Sequence, residues 1–538
     1  MGDAVARAGV EIVDVRHEAS AVYMAQAESE LTASLGVAMV TAGPGLTNAI
    51  TAIANSSVSR SSVLVLSGRT PSPQVGMGAM QDVPQAEVVA PLCRRTECVS
   101  AVHHVLPRLD AVIAAALGAA GEATGPAYID FSTDLLDQPV HPADIGAGQL
   151  LPRRVPLIPP HPDILNEAVE LIRRCRRILV VGGRSVCSAV PELQSFLRLT
   201  NALYLDTGEC RGAVPGDDPA YVPAMRGRVM QEADLVITLG RRLDFQLGYG
   251  SPAVFAPSAS FLRVGRYFEE TAENRRGDVE IVADVALTLQ ALVDLGATSI
   301  SADQEWVHDV KSTNEGRTAG LKARMSDPPL GSDGRMHPYR LIHAINAHLG
   351  DDSVVVADGG DILSFARVGL KPVRYLDCGA LGCLGVGVPF GIAAALNTVS
   401  GSVVALIGDG SFGFTAIEVD TAVRRNAKVL FIVANNESWN IERHDQVDRY
   451  ASNLVGVDLP GCRYNVLARG LGAYAERVDN AADLDAAIAR GLERAPALLD
   501  VLITKDAISP DYQSGLAVVP PRQVLNAWND AELERYYE

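Results

Sequence analysis

The sequence has few of the features that mark secreted, membrane-spanning or nucleic-acid-binding proteins. Its eight cysteines include no Cys-x-x-Cys pair and are too sparse for a disulfide scaffold, so we expect reduced thiols. No stretch approaches the ~20 consecutive apolar residues of a membrane-spanning helix, and the amino terminus lacks the apolar core of a signal peptide. Basic residues are outnumbered 46 to 64 by acidic ones, and the resulting charge of -18 disfavours nucleic acid and anionic membranes as partners. We therefore expect a cytoplasmic protein that acts on small molecules.

The chain is long enough for several domains. It has 538 residues, 48% of them apolar, and single cores rarely grow beyond ~250 residues. Short apolar runs at 10–15, 36–40, 62–66, 178–183 and 233–240 alternate with helical stretches, which is the pattern of a doubly wound α/β fold. We predict three Rossmann-like parallel-sheet domains at 1–141, 163–298 and 336–507. Linkers are expected at 142–162 and 299–335, and a C-terminal arm at 508–538.

Two apolar runs in the third predicted domain end in polar residues. The run 403–407 precedes Gly-Asp-Gly at 408–410, and the run 429–434 precedes Asn435 and Asn436. Each run is rich in β-branched residues and too short for a helix, so it predicts a buried parallel strand. Open α/β sheets bind ligands at the carboxyl ends of such strands. A carboxylate and an amide oxygen brought together there suit Mg2+.

A helix is predicted to begin directly after this tripeptide. Gly410 and Ser411 would carry the unpaired N–H groups of its first turn, which together with the helix dipole can hold a phosphate beside the metal. An isolated Gly-Asp-Gly is usually only a turn. The Asn-Asn pair after the next strand is what favours a binding site.

This arrangement resembles the diphosphate-anchoring signature of thiamine diphosphate (ThDP) enzymes, specifically the acetolactate synthase-like superfamily. The resemblance spans nearly the whole chain and is strongest at 10–100 and 375–445. It implies a pyrimidine-binding domain that activates the cofactor, a central domain and a diphosphate-binding domain, in that order. It also implies Mg2+ bound by Asp409, Asn436 and the main-chain carbonyl of Ser438. The residues it places around the cofactor's diphosphate are Gly408, Gly410, Ser411 and Asn435.

Four further segments match the family. Glu18 stands where a carboxyl group bonds N1′ of the pyrimidine, and Gly43, Pro44 and Gly45 match a turn beside that ring. Leu384 matches the aliphatic residue that bends the cofactor, and Gln81 matches a glutamine that faces substrate. Each segment alone is equally typical of a helix start, a tight turn, a core leucine or a surface loop. Their combination with the metal signature favours function.

Three departures from the family pattern leave the reaction open. Family members carry a first helix, a first strand and a glycine-rich loop before the segment matching residues 1–10, so we expect either a mis-assigned start or an impaired protein. Asp445 stands where acetolactate synthases have a tryptophan that favours a larger 2-ketoacid acceptor. The strand at 261–266 lacks the usual acidic residues, so FAD or the ADP portion of coenzyme A in the central domain stays undecided. Arg241, Arg242 and Arg263 are candidates for phosphate contacts, with solvated surface arginines as the alternative.

By resemblance we expect a ThDP- and Mg2+-dependent enzyme that decarboxylates a 2-ketoacid and transfers the acyl unit to a second carbonyl. The stretch 81–87 is more similar to 2-hydroxyacyl-CoA lyases, so a lyase or related decarboxylase stays open, as does a cofactor-binding but catalytically impaired homologue. In the family, the counterparts of Glu18 and the metal site meet across a subunit interface. We therefore expect a homodimer or homotetramer with active sites at that interface.

Overall fold

The structure, a computed structural model, describes residues 2–119, 121–141, 155–296, 302–371, 373–450 and 453–513. Its strands form three parallel sheets, each flanked by helices. The predicted fold class, three doubly wound parallel-sheet α/β domains, is confirmed. No helix within the described ranges is both long and apolar enough to cross a membrane.

The amino-terminal sheet has the strand order β1-β2-β4-β3. Its strands are β1 (Gly36–Val40), β2 (Val63–Arg69), β3 (Thr96–Val99) and β4 (Pro126–Ser132). Its helices are α1 (Gly2–Arg7), α2 (Glu18–Thr32), α3 (Pro44–Val58), α4 (Gln85–Val89), α5 (Val105–Ala116) and α6 (Thr133–Leu136). The runs predicted as strands at 36–40 and 62–66 correspond to β1 and β2. Strand β4 is buried along its whole length, as expected where helices cover both faces of a parallel sheet.

The central sheet has the order β6-β5-β7-β8-β9. Its strands are β5 (Ile178–Gly182), β6 (Leu203–Leu205), β7 (Leu235–Leu239), β8 (Ser260–Gly265) and β9 (Val279–Val282). Its helices are α7 (Pro162–Arg174), α8 (Val190–Thr200), α9 (Arg226–Glu232), α10 (Phe268–Ala272) and α11 (Val285–Asp294). Helix α7 begins with a proline at its first position and is capped by the His161 side chain. Proline fits this position because it lacks only an N–H donor that the first turn of a helix leaves unpaired anyway.

The polar connection predicted at 299–335 contains a long helix, α12 (Gln304–Ser326). Its first turns pack Trp306 and Val310 into the central domain, and its end packs Met325 into the carboxy-terminal core. A few apolar side chains at either end thus dock a helix whose composition is otherwise polar. Of the linker predicted at 142–162, residues 142–154 lie outside the described ranges, and the exact domain limits stay predictions.

The carboxy-terminal sheet has the order β11-β10-β12-β13-β15-β14. Its strands are β10 (Val354–Asp358), β11 (Arg374–Asp377), β12 (Val403–Gly408), β13 (Val429–Asn435), β14 (Tyr474–Val478) and β15 (Ala497–Leu502). Its helices are α13 (Pro338–His348), α14 (Asp361–Gly369), α15 (Gly387–Asn397), α16 (Asp409–Thr415), α17 (Val419–Arg424), α18 (Asn440–Arg449), α19 (Tyr464–Gly470), α20 (Leu484–Glu493) and α21 (Pro510–Gln513). The strand order reverses between β10 and β12, and the crevice at such a point is where open α/β sheets bind ligands.

The amino- and carboxy-terminal domains share one hydrophobic core. Helix α2 packs on α15, and the buried apolar cluster runs without a break from residues of α2 and α3 to residues of β10, β12 and β13. The two outer domains of the chain are therefore held directly against each other. Of the C-terminal arm predicted at 508–538, residues 514–538 lie outside the described ranges, and α21 lies on α14.

Residues 10–15 do not form the strand that their apolar pattern predicts. Within the described ranges no strand pairs with them. Arg425 donates to the carbonyl of Ile12, and Arg424 and Arg425 form ion pairs with Asp14 at 2.5 and 2.6 Å. An extended segment forms a strand only when a neighbouring strand satisfies its backbone groups, and here side chains of the carboxy-terminal domain do so instead.

Candidate functional site

The predicted metal ligands lie at the tips of two neighbouring strands. Strands β12 and β13 pair in parallel with Gly408 opposite Ala434, so Asp409 and Asn436 emerge side by side at the carboxyl edge. Both side chains are buried. Within the described chain, no group of three or more His, Cys, Asp or Glu side chains is placed to hold a metal ion. A cation at this edge would therefore depend on one carboxylate together with amide and carbonyl oxygens.

The Asp409 carboxyl group has one free oxygen. Oδ1 accepts the N–H of Gly410 at 3.0 Å, whereas Oδ2 is buried with no hydrogen-bond partner among the described residues. Burial raises the pKa of Asp409 to about 7, and the bond from the backbone N–H of Gly410 acts in the opposite direction. A buried acceptor without a donor costs free energy. An oxygen-seeking cation fits this position because it would supply the missing partner.

The loop after β13 is held in place by its own side chains. Asn436 Oδ1 accepts the N–H of Ser438 at 3.0 Å. Asn435 is used internally: its Nδ2 donates to Asp500 at 2.8 Å and its Oδ1 accepts the N–H of Glu437 at 3.2 Å. These bonds fix the conformation of the loop that follows β13. The cofactor contact predicted for Asn435 stays a prediction.

Helix α16 begins at Asp409, with Gly408 as its cap. A Cβ on Gly410 would lie 2.4 Å from the ring of Trp439, so only glycine lets the ring cover this turn. Ser411 is buried in the same turn. The N–H of Gly410, which the sequence predicts to be unpaired, donates to the Asp409 carboxyl group here, and the diphosphate contact predicted for this turn stays a prediction.

Leu384 lies on a glycine loop that a buried aspartate holds. Oδ2 of Asp358, at the end of β10, accepts the N–H groups of Gly385 and Gly387 at 3.0 and 2.8 Å. Gly385 has φ +90°, and a Cβ there would lie 2.7 Å from Phe414. Leu384 itself is partly exposed, which leaves it free to contact a ligand. Sequence reasoning missed Asp358, although the apolar run 354–357 followed by Asp-Gly repeats the pattern of the metal motif.

The residues predicted to meet the pyrimidine also come together. Glu18 begins α2, is partly buried, and accepts a hydrogen bond from Asn48 Nδ2 at 3.0 Å. Gly45 lies against it, because a Cβ there would be 3.6 Å from Glu18 Oε1. Gly43 caps α3, and Pro44 is the first residue of that helix. The carboxyl group and the turn therefore form one surface.

Gln81 joins this group through its main chain. Gln81 has φ +63°, and a Cβ atom added to Gly43 would lie 2.8 Å from the Cβ atom of Gln81. A neighbour that the sequence did not single out, Gln85, is buried and accepts the N–H of Gly43 at 2.6 Å while donating to Gly68 at 2.9 Å and Tyr128 at 2.8 Å. Gln85 ties the glycine turn to strands β2 and β4. Only the folded chain shows that these residues meet.

The pyrimidine group and the glycine loop contact each other within the chain. Tyr23 of α2 lies 3.3 Å, oxygen to sulfur, from Cys383, the residue before Leu384. Burial is the main cause that raises the pKa of Tyr23 above its ordinary value, so this hydroxyl stays neutral. The structure thus brings together the residues predicted to meet the pyrimidine, and separately those predicted to meet the metal and diphosphate, with the Leu384 loop packed on the first set.

The arginines considered for a nucleotide in the central domain are engaged with protein. Arg263 is 0% exposed and donates to the backbone carbonyls of Glu270, Glu273 and Arg275. Arg242 pairs with Glu273 at 2.5 Å, and Arg241 donates to Asp244 at 2.9 Å. Arg241 and Arg263 are therefore neither solvated nor free for phosphate.

Three family models match the chain. They are described as thiamine pyrophosphate enzyme N-terminal TPP binding domain, central domain and C-terminal TPP binding domain, and they match residues 1–88, 165–292 and 360–501. The chain is 31% identical over 520 residues to an acetolactate synthase large subunit of Mycobacterium tuberculosis, covering 95% of this chain and 91% of that protein. It is 30% identical over 568 residues to a 2-hydroxyacyl-CoA lyase 2 of Caenorhabditis elegans, covering 95% and 86%. A human 2-hydroxyacyl-CoA lyase 2 is 29% identical over 506 residues, covering 86% and 78%.

Proposed function

The chain belongs to the thiamine pyrophosphate enzyme family, and we propose that it uses ThDP and Mg2+ to break and form carbon–carbon bonds next to a carbonyl group. The observation that supports this most strongly is the unpartnered oxygen of Asp409 at the joined tips of β12 and β13. A buried acceptor at the tip of β12, next to the strand-order reversal between β10 and β12 and beside the first turn of a helix, suits a metal and a diphosphate together. We also propose that the enzyme acts in the cytoplasm.

The residues would divide the work as follows. Asp409, Asn436 and the carbonyl of Ser438 would hold Mg2+, and the first N–H groups of α16, at Gly410 and Ser411, would hold the diphosphate. Leu384 would support the bent cofactor from below, on a loop that Asp358 keeps rigid through two backbone bonds. These groups bind and orient, and a rigid binding site lowers the entropic cost of the reaction.

On the pyrimidine side, Glu18 would hold a proton at N1′ beside the Gly43–Gly45 turn. When bound, ThDP would supply a carbon acid whose deprotonated carbon can add to a carbonyl carbon, together with an electron sink for the pair released as the neighbouring bond breaks. Gln81 lies against Gly43, and we propose that its side-chain amide meets the substrate's oxygen atoms. A carboxyl group and an amide at one edge give the acid–base and orienting groups that this chemistry needs.

Our first candidate reaction is that of an acetolactate synthase: decarboxylation of a 2-ketoacid such as pyruvate, with transfer of the acyl unit to a second carbonyl. The 31% identity over 95% of this chain supports it. The second candidate is cleavage of a 2-hydroxyacyl-CoA to formyl-CoA. It is favoured by the 30% identity to a 2-hydroxyacyl-CoA lyase 2 and by Asp445, which occupies the position of the acceptor-selecting tryptophan and pairs with Arg449 at 2.6 Å.

One pair of assays separates the candidates. Purified protein with ThDP and Mg2+ is given pyruvate, or a 2-hydroxyacyl-CoA, and acetolactate and formyl-CoA are measured by mass spectrometry. Glu18→Gln is the control, because losing an acid–base group typically slows such enzymes ~100- to 10,000-fold. Acetolactate that disappears in Glu18→Gln supports the first candidate, and formyl-CoA that does so supports the second. Neither product, or a product rate that Glu18→Gln leaves unchanged, would refute both.

We further propose that the active site is completed by a second copy of the chain. The loop that carries Gln81 exposes Met80 at 87%, and Phe414 beside the Leu384 loop is 64% exposed. Large apolar side chains this exposed next to a binding site are typical of surfaces that associate. Analytical ultracentrifugation should find a dimer or tetramer, and Met80→Asp should shift it toward monomer and remove activity. An active monomer would refute this proposal.

A further inference from the structure

Glu418, in the turn after α16, is an acidic residue that is completely buried. Its side chain is 0% exposed, and both carboxylate oxygens accept the N–H of Arg16, at 3.0 and 3.2 Å. Oε1 also accepts the N–H of His17 at 3.0 Å, and Oε2 accepts the hydroxyl of Thr421 at 2.6 Å. A buried carboxylate with this many donors is stabilised and immobilised.

The two backbone N–H groups that Glu418 binds lie just before Glu18. His17 caps α2, and its ring accepts the N–H of Ala19. In a local capping box, a glutamate at the third helical position would bind the N–H of the capping residue, but here that position is Ser20. Glu418, 401 residues further along the chain, accepts the N–H of His17 instead, so the carboxy-terminal domain determines how α2 begins.

The other end of the same segment carries the predicted metal ligand. Helix α16 runs from Asp409 to Thr415, the turn Ala416–Glu418 follows at once, and α17 begins at Val419. A rigid stretch therefore links the diphosphate side to the residue that fixes the start of α2. Sequence reasoning linked these two regions only through a partner subunit.

We infer that Glu418 is a positioning residue: it fixes the backbone at the start of α2, which aligns Glu18 with the pyrimidine of ThDP, and it links that start to helix α16 of the same chain. This inference rests on the proposed function. Glu418 touches neither cofactor nor substrate in this role, since it acts through the backbone of Arg16 and His17. Its loss should therefore impair activation of the cofactor more than binding of the cofactor.

Nearby ion pairs between the same segments do not explain the alignment. Arg16 pairs with Asp420 at 2.6 Å, and the arginine is 52% exposed. Exposed pairs contribute little, about 0–1 kcal/mol, and they hold flexible side chains. The bonds to Glu418 hold the backbone itself. Asp420→Asn is therefore a matched control: it alters the same contact region without touching the Arg16 and His17 amides.

The test compares Glu418→Gln and Glu418→Ala with Asp420→Asn and wild type. Hydrogen exchange of the amides of Arg16 and His17 is measured in the cofactor-free protein, the affinity for ThDP with Mg2+ by calorimetry, and exchange of the C2 proton of bound ThDP by NMR. In Glu418→Ala, amide exchange should rise and C2 exchange should fall, each about tenfold or more as expected for lost charge-assisted bonds. The dissociation constant should change less than about threefold, Glu418→Gln should lie between, and Asp420→Asn should match wild type.

Three outcomes would overturn the inference. Unchanged C2 exchange in Glu418→Ala would refute the alignment role, and a parallel loss of affinity, C2 exchange and thermal stability in both variants would show a structural role only. The third is wild-type protein that binds no ThDP or shows no C2 exchange; it would refute the proposed function and this role with it. The first outcome, seen with an active wild type, leaves the proposed function intact.

Discussion

Binding of Mg2+ with ThDP should depend on pH through Asp409. Burial raises the pKa of this carboxyl group to about 7 in the absence of a cation, and its Oδ2 has no partner among the described residues. A cation binds the ionised form, so it must displace the proton at any pH below that value. Affinity should therefore be complete above about pH 7 and be lost as the pH falls.

The size of the effect follows from the release of one proton. With a pKa of about 7, the ionised fraction falls about fivefold between pH 7 and 6 and about fiftyfold between pH 7 and 5, and it approaches a tenfold fall per pH unit below that. Each tenfold step in affinity corresponds to about 1.36 kcal/mol. Asp409→Asn removes both the charge and the titration, so this variant should bind Mg2+ with ThDP more weakly than wild type above pH 7. The loss of affinity should exceed ~10- to 100-fold, which is typical of losing a residue that only orients a metal ligand.

Calorimetry from pH 5 to 8.5 in buffers of different ionisation enthalpy measures both the affinity and the protons released. The titration of free Mg2+–ThDP is measured separately and subtracted. Asp358 is also buried with its pKa raised to about 7, so Asp358→Asn serves as the matched control and should keep the slope. A dissociation constant for wild type that stays within twofold from pH 5 to 8 would refute the reasoning.

Three more changes have defined outcomes. Burial raises the pKa of Asp358 from 3.8 to about 7, so its stabilising contribution is present below about pH 4 and is lost as the pH rises to about 7, by roughly 4 kcal/mol at most. The melting temperature of Asp358→Asn should therefore fall less than that of wild type between these pH values. Parallel curves of melting temperature against pH would contradict the assignment. Gly43→Ala should lower the free energy of unfolding by at least ~1 kcal/mol and weaken ThDP binding, because Gly43 has φ +60° and a Cβ there would lie 2.8 Å from Gln81. Gly316→Ala in α12, where a Cβ would meet nothing within 4 Å, should instead stabilise the protein by ~0.5–1 kcal/mol. Equal melting temperatures for the two variants would count against this account. Arg60→Ala should destabilise by ~3–5 kcal/mol in urea unfolding, since the buried Glu270 and the partly buried Glu209 lose a partner at 2.6 and 3.3 Å, and Arg60→Lys should not restore all of it. A loss below ~1 kcal/mol would mean that other groups hold this contact between domains.

Much of the fold could be predicted from local pattern, for a physical reason. Strands of a parallel sheet are buried on both faces, so 403–407 and 429–434 are continuous apolar runs that end where polar side chains begin. Chain order alone then places Asp409 and Asn436 at one edge, and glycines with φ above zero, such as Gly43, mark turns that other residues strain to adopt. The sequence by itself determined the three α/β layers and the residue types at two ends of a candidate site.

Only the tertiary structure decided what holds those ends together. Glu418 meets His17 across 401 residues, Asp358 fixes the Leu384 loop, and Gln85 braces Gly43; no local spacing encodes such contacts. The strand predicted at 10–15 does not form for the same reason, because a β-strand requires a neighbouring strand to satisfy its backbone hydrogen bonds. Arg263 likewise has a side chain suited to a phosphate contact, but it is buried as a structural residue is. Hydrogen-bond partners distant along the chain, rather than the identity of each residue, set which polar groups are free to act.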